Sequence, residues 1–143
     1  MDLRKIDDQI TVAPQIAVED VAEIARLGFR TLVANRPDQE EPGQPPMAEI
    51  EAAAREHGLN WVYLPVESGN ITDQDVDQFA PMIQQAEAPV LAFCRSGTRC
   101  TVLWALSAAR NTPVEVIFTK ARNAGYDIGG LAPRLAQQAS RQG

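Results

Sequence analysis

The stretch Val90-Leu91-Ala92-Phe93-Cys94-Arg95-Ser96-Gly97-Thr98-Arg99-Cys100-Thr101 decides how the chain reads. A short apolar, β-prone run ends in a cysteine, and a glycine-bearing loop follows. From about Arg99 to Arg110 the strongly apolar run CTVLWALSAA predicts a helix buried on most of its circumference. Strand, loop and helix in that order form the repeating unit of α/β sheets, whose sites lie at the carboxyl ends of their strands.

The same alternation extends on either side of this stretch. Phe29–Asn35, Leu59–Val66 and Pro89–Phe93 read as short strands. Helical spacing marks Glu19–Leu27, Pro46–His57, Thr72–Ala86 and Pro113–Ala124, and Pro81 is expected to kink or split the third of these. A weaker signal over Ile10–Val18 suggests an edge strand or hairpin, and the tail Gly129–Gly143 reads as partly helical or frayed. Helices between strands require parallel crossovers. The expectation is therefore one α/β domain over residues 1–143: three layers, a mostly parallel sheet and helices on both faces.

Composition narrows the function. The 143 residues carry 13 basic and 19 acidic side chains, a net charge of −6, with 45% hydrophobic residues. That is an ordinary globular core with an acidic surface, which argues against nucleic-acid or anionic-membrane partners because both need a basic face. There is no long apolar run and no signal-like start, and two cysteines are too few for a disulfide scaffold. A cytoplasmic protein is expected.

The chemistry is expected at Cys94. At a strand end and before a helix N-terminus, its thiolate would be stabilised by the helix dipole, by loop amides and by Arg95 and Arg99. Gly97 lets the loop curl so that its N–H groups, with Arg95, Ser96 and Thr98, form an anion nest. Arg99 can meet an oxyanion with two parallel hydrogen bonds. Four residues separate Cys94 from Arg99. Rhodanese sulfurtransferases have this Cys-x4-Arg loop, whereas tyrosine and dual-specificity phosphatases have Cys-x5-Arg. Phosphatases also tend to place His before the nucleophile and Ser or Thr after the Arg; here those positions hold Phe93 and Cys100.

The chain further resembles the phosphatase-like domain of the beta-lactamase-hydrolase-like proteins. Five ordered stretches carry the resemblance: Asn35–Asp38 with Glu40–Pro45, Leu64–Val66, Gly69–Thr72, Phe93–Arg99 and Ala124–Asp127. The resemblance implies a fold similar to dual-specificity phosphatases. Fused members stand beside a persulfide dioxygenase-type domain, which implies sulfur transfer, with Cys94 carrying the sulfur and Arg95 to Arg99 forming its anion loop. Where Cys100 stands, Ser is more usual in the family, and the resemblance leaves Thr101 as a partial substitute for that hydroxyl.

A phosphatase also needs a general acid for its leaving alcohol. Asp73 and Glu67 in the segment before the third helix are candidates, as is Asp38 in the proline-rich loop Arg36–Pro46; Asp73 equally suits a helix start. The acidic run Asp38–Glu41 reads as a solvated loop or as a lid over the pocket. Cys100 is either a small core residue or a redox partner of Cys94. His57 suits a helix end, Trp61 and Trp104 read as core, and no metal or cofactor is called for. The leading expectation is a sulfurtransferase that takes sulfane sulfur from a small anionic donor (thiosulfate or a glutathione persulfide) and passes it to an acceptor thiol or cyanide. Its partner would be a persulfide dioxygenase-type protein. The alternatives are a cysteine-dependent phosphatase and a non-catalytic anion-binding module.

Overall fold

The computed structural model describes residues 1–141. Five strands, β1 (Arg4–Lys5), β2 (Ile10–Ala13), β3 (Thr31–Ala34), β4 (Asn60–Tyr63) and β5 (Val90–Phe93), form one sheet in the order β1-β2-β5-β3-β4. Strands β2 to β5 are mutually parallel, and β1 pairs antiparallel with β2. The strand that feeds Cys94 is therefore central, with β2 on one side and β3 on the other.

Side-chain alternation along the strands divides two cores. Val12, Val33, Val90 and Ala92 face one layer, and Ala13, Leu32, Ala34, Leu91 and Phe93 face the other. Helices α1 (Asp20–Arg26) and α2 (Met47–Glu56) cover the second face through Val21, Ile24, Ile50 and Ala54. The first face carries α3 (Asp73–Gln85), α4 (Thr98–Ala108), α5 (Val114–Asn123) and α6 (Ala132–Ala139). As its composition predicts, α4 is buried along most of its length and packs against α3, α5 and α6. The three-layer α/β expectation holds.

Three local readings left open by the sequence are resolved. The Ile10–Val18 signal takes its hairpin alternative: all four residues of Ile10–Ala13 are buried inside the sheet, and the two-residue β1 pairs antiparallel with them and takes the edge. Pro81 does not split α3, which runs unbroken for 13 residues. Its ring lies on the exposed face, where the carbonyl that loses an N–H partner can turn to water. The tail takes its helical alternative over the described residues. A short 3-10 turn (Gly129–Leu131) leads into α6, whose Leu135 is fully buried. Trp104 lies in the core as expected, whereas Trp61 on the edge strand is half-buried against the α1–α2 layer. No helix among the described residues is long and apolar enough to cross a membrane.

Candidate active site

The loops leaving the carboxyl ends of β3, β4 and β5 converge above the middle of the sheet. They form a cleft of about 970 Å³ with Arg95, Ser96, Thr98 and Arg99 from the β5–α4 loop on its floor. Arg36, Glu40 and Glu41 come from the β3–α2 loop, and Ser68 to Ile71 from the segment before α3. Leu131 and Arg134 close the far side. Sites at the carboxyl ends of parallel strands are the general rule for this architecture.

Cys94 is fully buried where β5 ends, and it is not itself among the side chains that line the cleft. Gly97 is the N-cap of α4 with φ of 89°, a left-handed conformation natural to glycine, and its N–H points at the Cys94 Sγ, 3.1 Å away. A Cβ at Gly97 would run into the Tyr126 hydroxyl, which itself donates to the Ser96 carbonyl at 2.9 Å and so braces the loop from behind. The Ser96 hydroxyl donates to Thr98 Oγ1 at 3.0 Å.

The Cys94 thiol is pushed down to about 6, first by a hydrogen bond from the Cys100 side chain, and then by the N–H groups of Cys100, Gly97 and Ser96, against the opposing effect of burial. Cys100 moves the other way: burial and its bond to Cys94 raise it well above the ordinary thiol range. Above about pH 6 the proton of the pair therefore sits on Cys100 and Cys94 is the thiolate. The expected anion nest is present, and the loop amides stabilise the thiolate as read in the sequence. The largest single stabiliser is one the sequence reading did not assign, the neighbouring Cys100 thiol, and it ranks with the amides ahead of either arginine. Thr101 does not offer a hydroxyl to the nucleophile, because its Oγ1 donates to the Gly97 carbonyl at 2.9 Å.

None of the three acids selected from the sequence lines the cleft. Asp38 Oδ1 accepts the Met47 N–H at the start of α2. Asp73 accepts from Arg134 and Gln138, tying α6 to the first turn of α3, so its helix-start reading is the one realised. Glu67 is exposed, in a small bridge with Asn70. The carboxylates that do reach the cleft are Glu40 and Glu41, which the sequence reading treated only as part of an acidic loop or lid.

These two side chains hold an arginine cluster. Arg36, 2% exposed, donates to Glu40 at 2.7 Å and to Glu41 at 2.6 Å, with Gln15 completing its partners at 3.1 Å. Arg99 donates to Glu40 through both Nη1 (2.9 Å) and Nη2 (2.8 Å), and Nη1 also reaches the Val66 carbonyl at 3.1 Å. Arg95 lies 3.6 Å from Glu41 and is largely in solvent. Glu40 is accordingly held down at about 2, chiefly by its bond to Arg99. The only sequence signal for this cluster was two adjacent glutamates four residues beyond an arginine, inside a stretch already noted for its family resemblance.

A parallel-sheet α/β domain with a buried thiolate in an amide-lined loop that runs into a helix, and an arginine at the helix start, defines a protein of the tyrosine and dual-specificity phosphatase-like fold. The chain belongs to the phosphatase-like domain family of the beta-lactamase hydrolase-like proteins, whose family model matches residues 2–111. It is 35% identical over 138 residues to the beta-lactamase hydrolase-like protein of Agrobacterium fabrum, covering 95% of this chain and 32% of that protein. The chain thus spans about a third of the curated relatives it matches. A candidate phosphatase from Neisseria meningitidis superposes with a TM-score of 0.85 at 38% identity, covering 96% of this chain and 99% of that one. The core catalytic domain of a PP-IP phosphatase from S. cerevisiae shares the fold at 15% identity, with a TM-score of 0.69 and coverage of 97% and 84%. The likeness is to phosphatases, and sulfur transfer, the leading expectation from the sequence, gains no support from it.

Proposed function

We propose that the domain is a cysteine-dependent phosphatase acting on phosphate esters or anhydrides whose leaving group departs readily as an anion. The observation that carries this reading is the thiolate of Cys94, depressed to about 6, in an amide-lined loop that runs directly into the helix carrying Arg99. The family and its phosphatase-like relatives support the same chemistry.

In the first step the Cys94 sulfur attacks phosphorus, an S–P bond forms, and the bond to the leaving oxygen breaks. The loop N–H groups and Arg99 stabilise the negative oxygens as they crowd around phosphorus. Water then attacks the phosphocysteine, releasing orthophosphate and returning the thiolate. The restriction on the leaving group follows from the carboxylates present. Glu40 and Glu41 are held ionised by arginines and have no proton to give, while Asp38, Asp73 and Glu67 do not line the cleft. An aryl oxide or a phosphate leaves without help, and a simple alkoxide does not.

Sulfur transfer is the second reading, favoured by the four-residue spacing between Cys94 and Arg99 and by the ionised state of the carboxylates that line the cleft among the described residues. Cys94 would attack the outer sulfur of thiosulfate, sulfite would leave with the electron pair, and an acceptor thiolate would take the sulfur from the resulting persulfide. A persulfide dioxygenase-type partner belongs to this reading alone.

Incubation of the protein with an aryl phosphate and, separately, with thiosulfate distinguishes the two. Phosphate release with saturation kinetics, lost in Cys94→Ser, is the expected result. A stable one-sulfur gain on Cys94 from thiosulfate without phosphate release would replace the first reading with the second. A chain that binds anions without turnover or adduct would retain only an anion-binding module.

A further inference from the structure

The arginine of such a loop works only if its flat guanidinium is presented to the substrate edge-on, and the structure contains a device that fixes this orientation. A guanidinium has five N–H donors: one on Nε and two on each terminal nitrogen. In Arg99 both Nη1 protons are committed, to Glu40 Oε2 and the Val66 carbonyl, and one Nη2 proton is committed to Glu40 Oε1. What remains is the Nε–H and the second Nη2–H. These two lie on the same side of the group and form the fork that meets an oxyanion with two parallel bonds.

We propose that Glu40 is a positioning residue, gripping Arg99 by its end so that the side-on fork is held ready for the substrate anion. This rests on reading the Cys94 loop as the anion site. Glu40 is itself fixed. Arg36, buried beneath the loop, donates to it at 2.7 Å, and the Glu40 carboxylate stays ionised down to about pH 2. A carboxylate that merely plugged the cradle would occupy the fork and the loop amides. The hydrogen bonds of the Glu40 carboxylate among the described residues are instead with Arg36 and the end of Arg99. Glu41, one residue on, binds Arg36 and approaches Arg95, with no contact to Arg99.

This neighbour supplies the control. Glu40→Gln and Glu41→Gln each remove one negative charge from the same loop, and electrostatics alone would make both bind an anion more tightly. If Glu40 orients Arg99, the two variants part company. Orthophosphate, titrated calorimetrically into each folded variant, is expected to bind about 10-fold more weakly to Glu40→Gln, the equivalent of losing one good charge-assisted bond. It is expected to bind as well or more tightly to Glu41→Gln. Glu40→Asp keeps the charge but withdraws it, and is also expected to bind weakly. Melting curves show whether each variant is folded, and the comparison of Glu41→Gln with Glu40→Asp stands even if Glu40→Gln is not. Unchanged or tighter binding by Glu40→Gln or Glu40→Asp overturns the proposal, as does equal weakening by Glu41→Gln. If wild type binds phosphate, Glu40→Gln binds it poorly, and no substrate is turned over, the proposed function fails and the positioning role survives. If wild type binds no phosphate, both fail.

Discussion

Replacing Cys100 by alanine should release the Cys94 proton equilibrium from its principal restraint. Cys94 is held at about 6 instead of 9.0, and the first cause is the hydrogen bond from the Cys100 thiol. The whole depression amounts to about 4 kcal/mol in favour of the thiolate. A hydrogen bond to an ionised partner contributes roughly 1.5–3 kcal/mol, and a thiol donor belongs at the lower end of that range. Cys100→Ala should therefore raise the Cys94 pKa by about 1–2, to about 7–8. At pH 7 the thiolate fraction then falls from about nine-tenths to between about a tenth and a half.

The assay is the ultraviolet absorbance of the thiolate against pH, with Cys94→Ser as the blank. Cys100→Ser is the companion variant, because a hydroxyl is a better donor than a thiol and fits the same space. It should keep Cys94 near 6, and covalent adduct formation should follow the same order, with Cys100→Ala catching up above pH 9. A Cys100→Ala chain that titrates like wild type would refute the reasoning. The three amides would then suffice, and the thiol next to the nucleophile would be a packing residue.

The structure fixes three further outcomes. Gly97→Ala places a Cβ against the Tyr126 hydroxyl and demands a left-handed φ of 89°; it should cost about 1–3 kcal/mol in denaturant unfolding and abolish anion binding, and Tyr126→Phe should restore part of the stability. Glu40 has a folded pKa below its unfolded value, so its contribution is complete above about pH 4.5 and is lost as pH falls toward 2. With partial exposure discounted this is roughly 1–2 kcal/mol, and Glu40→Gln should flatten the acid limb of a stability-against-pH curve by that amount. Leu135→Ala removes the fully buried anchor of α6 and should destabilise the chain by about 2–5 kcal/mol, whereas a frayed tail would make it neutral.

What could be read from the sequence was what is contiguous in it. The strand, cysteine, glycine loop and helix of residues 90–110 form one local unit, and each residue type there announces its backbone or chemical role. Strand β1 escaped notice because two residues carry no periodicity, and without it the run Ile10–Ala13 could be read equally as an edge strand or as one arm of a hairpin. Pro81 stands inside α3 without splitting it because it lies on the exposed face, where water takes the carbonyl that has lost its N–H partner, and sequence alone does not show which face a residue takes. The Glu40–Arg99 pair spans 59 positions, and nothing in either segment names the other. The sequence named the loop amides and the arginines together as stabilisers of the thiolate, and the amides are realised. In the folded chain Arg95 is turned to solvent and Arg99 to Glu40, and the largest stabiliser is the Cys100 thiol, which nothing in the sequence marked as a donor.

The short loop gives a physical reason for an acidic strap. With four residues between Cys94 and Arg99, α4 begins at Thr98, immediately after the left-handed Gly97, and Arg99 falls in its first turn. A backbone fixed that early leaves the side chain as the only adjustable part of the cradle. An arginine with several free torsions would lose entropy each time it closed on an anion. Glu40, Arg36 and the Val66 carbonyl fix the guanidinium beforehand, and they do so from elements that carry no part of the loop itself. Binding specificity in this domain should therefore be as sensitive to the β3–α2 loop as to the residues around the nucleophile. Exchanging residues 36–46 between relatives with the same Cys94 loop should transfer anion preference along with the strap.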